Sequence, residues 1–111
     1  MFITMNRIYI SDDYTGDFEE RFRTRAGEVD KAPGFVRNLV LRPAGHRVAE
    51  DLPREQPYVV MTMWKSKEDF DAWVDSDAFK KGHGRSGTLP KEAFSRMGGL
   101  ETFEAFLDSG S

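Results

Sequence analysis

Apolar positions along the chain switch between two periods, and each switch marks an element. Residues 2–10 hold Phe2, Ile3, Ile8, Tyr9 and Ile10 and stop at Ser11, Asp12 and Asp13, which predicts a strand ended by a turn. Phe18, Phe22, Ala26 and Val29 then recur with the helical period. That spacing predicts a helix over 16–31, with Thr15 as its N-cap and Pro33-Gly34 as its stop. A second strand is predicted over 35–42. The polar stretch 43–56, with Pro43, Gly45 and Pro53, reads as a flexible loop. A third strand follows over 58–64. Ser66-Lys67-Glu68-Asp69 is a capping box with Asp in the usual Glu place, and it opens a short helix carrying Phe70, Trp73 and Val74. Ser76-Asp77 interrupts that helix before a further turn with Phe79. The glycine-rich run 82–87 reads as flexible. A last strand is predicted over 100–106, with Leu100, Phe103 and Phe106, and a frayed tail over 108–111.

The order β-α-β-β-α-β is the ferredoxin-like arrangement, an α+β fold in a single domain spanning 1–111. The third strand adds a constraint. Tyr58, Val60, Thr62 and Trp64 point one way, and Val59, Met61 and Met63 the other. Both faces are largely apolar, whereas a sheet wet on one side alternates apolar with polar. Two helices cover one face, so a second copy of the same sheet is expected on the other, giving a homodimer packed face to face.

Composition narrows the chemistry. A chain of 111 residues suits one modest core, and nine phenylalanines make that core aromatic-rich. A net charge of −3 gives no pull toward nucleic acid or an anionic membrane. No stretch approaches the length of a bilayer span, and the N-terminus has no signal-peptide pattern. The absence of cysteine excludes disulfides, a thiolate nucleophile and Cys-ligated zinc or iron–sulfur centres, and it fits a reducing cytoplasm. There is no P-loop and no dinucleotide fingerprint, and Ser86, close to His83, has no nucleophile elbow around it.

Few side chains remain to carry chemistry, and each has two readings. His83 is a solvated loop histidine or an axial ligand for heme iron. His46, in the polar loop between two prolines, reads as structural. Asn6 is polar in an apolar strand: it bonds local backbone or faces solvent at an edge, or it aims its amide at a ligand. Trp73, with Phe70 at helical spacing, is a core residue or the wall of a cofactor pocket. Trp64 belongs to the core or to the dimer interface. Arg21 and Arg25 share a helix face and are solvated, or hold a pair of carboxylates. Lys80, Lys81 and Arg85 surround His83 with positive charge that suits an anionic ligand.

Asn6-Arg7, Glu20-Arg21-Phe22 with Thr24-Arg25, Trp64-Lys65-Ser66-Lys67, then Trp73, Ser76-Asp77, Phe79-Lys80 and His83 together resemble one family. They look like the heme-degrading monooxygenases of the iron-regulated surface determinant type, within the antibiotic-biosynthesis-monooxygenase superfamily of dimeric α+β barrels. The resemblance covers roughly residues 3–86. The W-K-S-K segment with a downstream Trp implies the fold. The Asn, Trp and His set is more specific to heme degradation. The resemblance implies that His83 is the proximal iron ligand and that Asn6 hydrogen-bonds toward the distal oxygen site. It implies that Trp73 presses on the porphyrin and ruffles it. Phe22, Phe70 and Phe79 would line the pocket, and Arg21 and Arg25 would lie near the propionates. Heme would be both substrate and oxygen-activating cofactor, with an external electron donor and an unidentified reductase. The ring would open at a meso carbon, releasing iron and a linear tetrapyrrole. Two other outcomes are weighed beside it: a cofactor-independent monooxygenase of a polycyclic aromatic substrate, and a non-catalytic heme-binding dimer.

Overall fold

The structure, a computed structural model, describes residues 1–24, 27–45, 56–84 and 89–110, with the side chains of residues 28 and 81–84 outside that description. Strand β1 (Phe2–Ile10) leads through a 3-10 turn (Asp12–Tyr14) into helix α1 (Thr15–Thr24). A second 3-10 turn (Glu28–Lys31) precedes β2 (Phe35–Leu41) and β3 (Tyr58–Trp64). Helices α2 (Lys67–Val74) and α3 (Asp77–Gly84) follow, then a 3-10 turn (Lys91–Ala93) and β4 (Phe94–Glu104). The strands form one antiparallel sheet in the order β2-β3-β1-β4. This is the expected ferredoxin-like α+β topology.

Strand register sets the two faces. Phe2 lies opposite Trp64, Thr4 opposite Thr62, Asn6 opposite Val60 and Ile8 opposite Tyr58, and cross-strand partners share a face. This is the helix face: α1 sets Phe18 on Tyr58, while α2 sets Phe70 on Phe2 and Trp64. The opposite face pairs Ile3 with Met63, Met5 with Met61 and Arg7 with Val59. Both phases of β3 thus point as its sequence predicts.

The cap of α2 is also as expected. The Ser66 hydroxyl accepts from the Asp69 amide at 3.2 Å and donates to its carboxylate at 3.0 Å. Gly34 at φ +82 turns the chain into β2, and a Cβ built there would lie 2.2 Å from the Asp69 carboxylate. Glycine is therefore required twice over, by conformation and by space.

Four expectations are corrected. Thr15 is the first residue of α1 rather than its cap, with its hydroxyl donating to the Asp12 carbonyl at 3.2 Å. Helix α1 does not reach residue 31: Gly27 adopts a non-helical conformation, and residues 28–31 tighten into a 3-10 turn. Residues 82–84, read as part of a flexible run, continue α3 instead, although each glycine costs a helix about 1 kcal/mol relative to alanine; residues 85–87 of that run lie outside the described residues. The last strand begins at Phe94, not at residue 100, and ends before Phe106, which stands 96% exposed.

Candidate functional site

The helix face of the sheet closes at both ends and opens in the middle. At one end Phe18 packs 4.7 Å from Tyr58 and 5.0 Å from Phe22, ring centre to ring centre, over Ile8 and Ile10 and against Leu89 and Ala93. At the other end Phe2, Phe35, Phe70 and Trp73 surround Trp64. Trp64 is 1% exposed and its indole N–H has no acceptor among the described residues, so packing rather than hydrogen bonding fixes that ring.

Between these ends runs a row made of Val40, Val60, Asn6 and Leu100, one residue from each strand. Its side chains point to the helix face, yet Asn6 is exposed and Leu100 is 58% exposed. Asn6 and Val40 are exposed although Thr4 and Tyr58, in the same phase, are buried, while Leu100 lies on the edge strand β4, which is exposed along its whole length. This open strip of sheet, apolar except for one amide, is the candidate cleft. Such a shape suits a flat, mostly apolar ligand with few polar contacts.

The structure places the sequence-predicted residues around this cleft unevenly. Asn6 is on its floor. Its exposure fits both a side chain that faces solvent and an amide offered to a ligand. Phe22 is half-buried on α1 beside Phe18, and Arg21 is exposed on the same helix. Arg25 lies outside the described residues, as do Arg85 and His46. Trp73 is half-buried, 6.5 Å from Trp64 and 5.9 Å edge-on from Phe79. Phe70 is taken up by the packed cluster, 5.5 Å from Phe2 and 5.9 Å from Trp64. His83 sits in the last turn of α3, so its backbone is helical rather than looped. Along β1, Phe2 at the Trp64 level and Asn6 are separated by about 13 Å of strand. Trp73 thus belongs to the Trp64 cluster and is not brought into contact with Asn6. Among the described residues no group of three or more His, Asp or Glu side chains is arranged to hold a metal ion.

A polar network that the sequence did not reveal fixes the α1 border. Glu19 accepts from Arg42 at 2.8 and 2.6 Å and from the Tyr58 hydroxyl at 2.6 Å, with Arg23 at 3.2 Å. The Arg42 and Tyr58 hydrogen bonds hold the Glu19 carboxyl down at about 2, against an ordinary 4.5. Burial and the Glu19 bond push the Tyr58 hydroxyl up. These groups line a cavity of about 700 Å3 with Ser11, Asp12 and Thr15. The available signal was Tyr58 in the helix-facing phase of its strand with Glu19 next to Phe18. Its partners are too far apart in sequence for a spacing rule to join them.

With this geometry in place, comparison with known proteins decides the family. The profile of the family described as antibiotic biosynthesis monooxygenase matches residues 1–85. The chain belongs to this family. Among similar members is a staphylobilin-producing heme oxygenase of Staphylococcus haemolyticus, 35% identical over 83 residues, covering 75% of this chain and 73% of the relative. Another is a mycobilin-producing heme oxygenase of Mycobacterium tuberculosis, 31% identical over 108 residues, covering 97% and 91%. Among solved structures, the heme-degrader MhuD of Mycobacterium tuberculosis, with two hemes bound in its active site, superposes with a TM-score of 0.74. It is 30% identical and covers 99% of this chain and all of that one, 100%. The antibiotic biosynthesis monooxygenase fold thus extends beyond the profile match, through β4.

Proposed function

We propose that this chain is a heme-degrading monooxygenase that binds heme as its substrate in the cleft over Asn6 and opens the porphyrin ring with O2 and electrons from an external donor. The observation that carries the reading is the row of Val40, Val60, Asn6 and Leu100 on the helix face, of which all but the half-buried Val60 are exposed, set between two closed aromatic clusters. A porphyrin is a flat apolar disc with polar needs at its metal and its two carboxylates, which matches that cleft. Similarity to heme-degrading relatives across most of the chain supports the same substrate.

The assignments rest on the chemistry of each side chain and on the family resemblance. His83, in the last turn of α3, supplies the imidazole for the iron. Asn6 presents an amide that donates a hydrogen bond without a readily transferable proton, which suits the opposite side of the ring. Trp73 would be the bulky ring against which the porphyrin packs. Phe22 on α1 and Phe79 on α3 contribute wall, with Phe70 behind Trp64. Arg21 and Arg25 would pair with the propionates, for which a guanidinium is the apt partner; Arg25 is assigned from the sequence alone. Heme supplies the redox-active iron; the protein supplies ligation, distortion, a distal donor and exclusion of water.

Two copies pack through the sheet face that bears Ile3, Met5, Met61 and Met63, covering apolar surface opposite the helices. A reductase of the reducing cytoplasm, the compartment that a cysteine-free chain suits, feeds the electrons. No helix of the described residues is long and apolar enough to cross a membrane.

The test is a titration with hemin, followed by ascorbate in air. We expect a Soret band saturating at one heme per subunit. Reductant should then bleach it, with a linear tetrapyrrole detected by mass spectrometry and iron captured by a chelator. A Soret band that survives reductant and air makes the protein a heme carrier. No Soret band, together with oxygen uptake on a polycyclic phenol, makes it a cofactor-independent oxygenase.

A further inference from the structure

The residue joining α2 to α3 makes two bonds with one hydroxyl. Ser76 Oγ donates to the Trp73 carbonyl at 2.6 Å and accepts from the Phe79 amide at 3.2 Å. The backbone repeats the link, with the Ser76 amide on the Trp73 carbonyl at 3.0 Å and the Lys80 amide on the Ser76 carbonyl at 3.2 Å. One side chain therefore closes the last turn of the helix that carries Trp73 and caps the first turn of the helix that carries His83.

Packing does not do this job alone. A cavity of about 390 Å3 lies between the junction and the segment before β2, lined by Lys31, Pro33, Asp69, Trp73, Ser76 and Ala78. Trp73 packs on Trp64 at 6.5 Å and on Phe79 at 5.9 Å and also borders this cavity. A ring with room to move needs something else to hold its helix at a fixed angle.

We infer that Ser76 is a positioning residue, whose hydroxyl sets Trp73 relative to the helix bearing His83 and so sets the tilt and distortion of a bound porphyrin. The second half of that statement rests on the heme reading above; the first half does not. Both hydrogen bonds are needed. The bond to the Phe79 amide stabilises α3, and the bond to the Trp73 carbonyl ties that helix to α2.

Three substitutions separate them. Ser76→Thr keeps donor and acceptor. Ser76→Asp keeps the acceptor that caps α3 and loses the donor to Trp73. Ser76→Ala loses both. In heme-free protein the readout is the near-ultraviolet circular dichroism of the Trp64–Trp73 pair, the two tryptophans of the chain. With hemin added, the readouts are Soret position and dissociation constant. We expect Ser76→Thr to match wild type. Ser76→Asp should keep the melting temperature, change the tryptophan signal, shift the Soret band and weaken hemin about fivefold, the loss typical of one hydrogen bond. Ser76→Ala should add a lower melting temperature.

If Ser76→Asp matches wild type in both the tryptophan signal and the hemin spectrum, Ser76 is a plain helix cap and the inference is overturned. If the tryptophan signal changes while Soret position and affinity hold, the role in heme positioning is overturned. Wild-type protein that fails to take up hemin overturns the heme reading instead, and the heme-free signal then decides the junction by itself.

Discussion

The two ends of the helix face are held by different physics. At the α1 end, Glu19 gathers Arg42 and Tyr58 from 23 and 39 residues away, so a charged network clamps the helix directly to the sheet. At the α2–α3 end the side-chain hydrogen bonds are local, three residues apart at Ser66 and again at Ser76; the long-range ties are ring against ring, with one backbone bond from the Lys65 amide to the Gly34 carbonyl. Charge-assisted bonds are directional and stiff. Aromatic pairs instead prefer offset or edge-to-face contact and gain most of their energy from buried area. The two borders are thus fixed in different ways: α1 by charge-assisted bonds to the sheet, and the α2–α3 pair, which carries Trp73 and the His83 helix, by ring packing and short-range caps.

Breaking either end tests that difference. The largest loss is expected from Phe18→Ala, which removes a buried ring packed on both Tyr58 and Phe22. It should cost about 3–5 kcal/mol, a large part of the stability of a domain this size, measured by urea denaturation. At the other end, Gly34→Ala meets both a positive φ and the Asp69 carboxylate, and should cost about 2–3 kcal/mol. Because Asp69 belongs to the cap of α2, that variant should also alter the tryptophan signal, while Phe18→Ala at a permissive temperature should not.

The smallest effect sharpens the comparison most. Glu19 has its carboxyl pKa lowered to about 2 on folding, so it binds its proton less readily in the native state than in the unfolded one. Its contribution is fully present above the ordinary carboxylate value and is lost as pH falls from about 4.5 through about 2. Glu19→Gln should lower the melting temperature by a few degrees at neutral pH and flatten that acid dependence, and added salt should shrink the difference. Equal acid profiles for wild type and variant would mean that the clamp is not electrostatic.

What the sequence disclosed follows the same divide between local and distant causes. β1 and β3 were legible because each is a short run rich in β-branched, aromatic and other apolar residues, bounded by polar turn residues or a proline. The cap at Ser66 was legible because its partner, Asp69, lies three residues on. The end of α1 was not, since Val29 continues the helical spacing in a 3-10 turn while Gly27 has already left the helix. The start of β4 was hidden for another reason. Ser95, Arg96, Gly98 and Gly99 give no alternation, and this edge strand is held by backbone pairing to β1, so tightly at Gly98 that a Cβ would meet the Arg7 carbonyl. Of the candidate site, Asn6 could be singled out by its polarity in an apolar strand. Its exposure on the helix face could not, because that depends on where two helices stop. The Glu19 network depends on residues brought together only by the fold.

Heme ligation from α3 is the claim on which the functional account turns, and a hemin titration of His83→Ala against wild type tests it most directly. The account predicts at least a tenfold loss of affinity, about 1.4 kcal/mol, with disappearance of the spectral signature of an iron–imidazole bond and with an unchanged melting temperature in heme-free protein. A His83→Ala variant that binds hemin with wild-type affinity and spectrum, and degrades it at the wild-type rate, would contradict it.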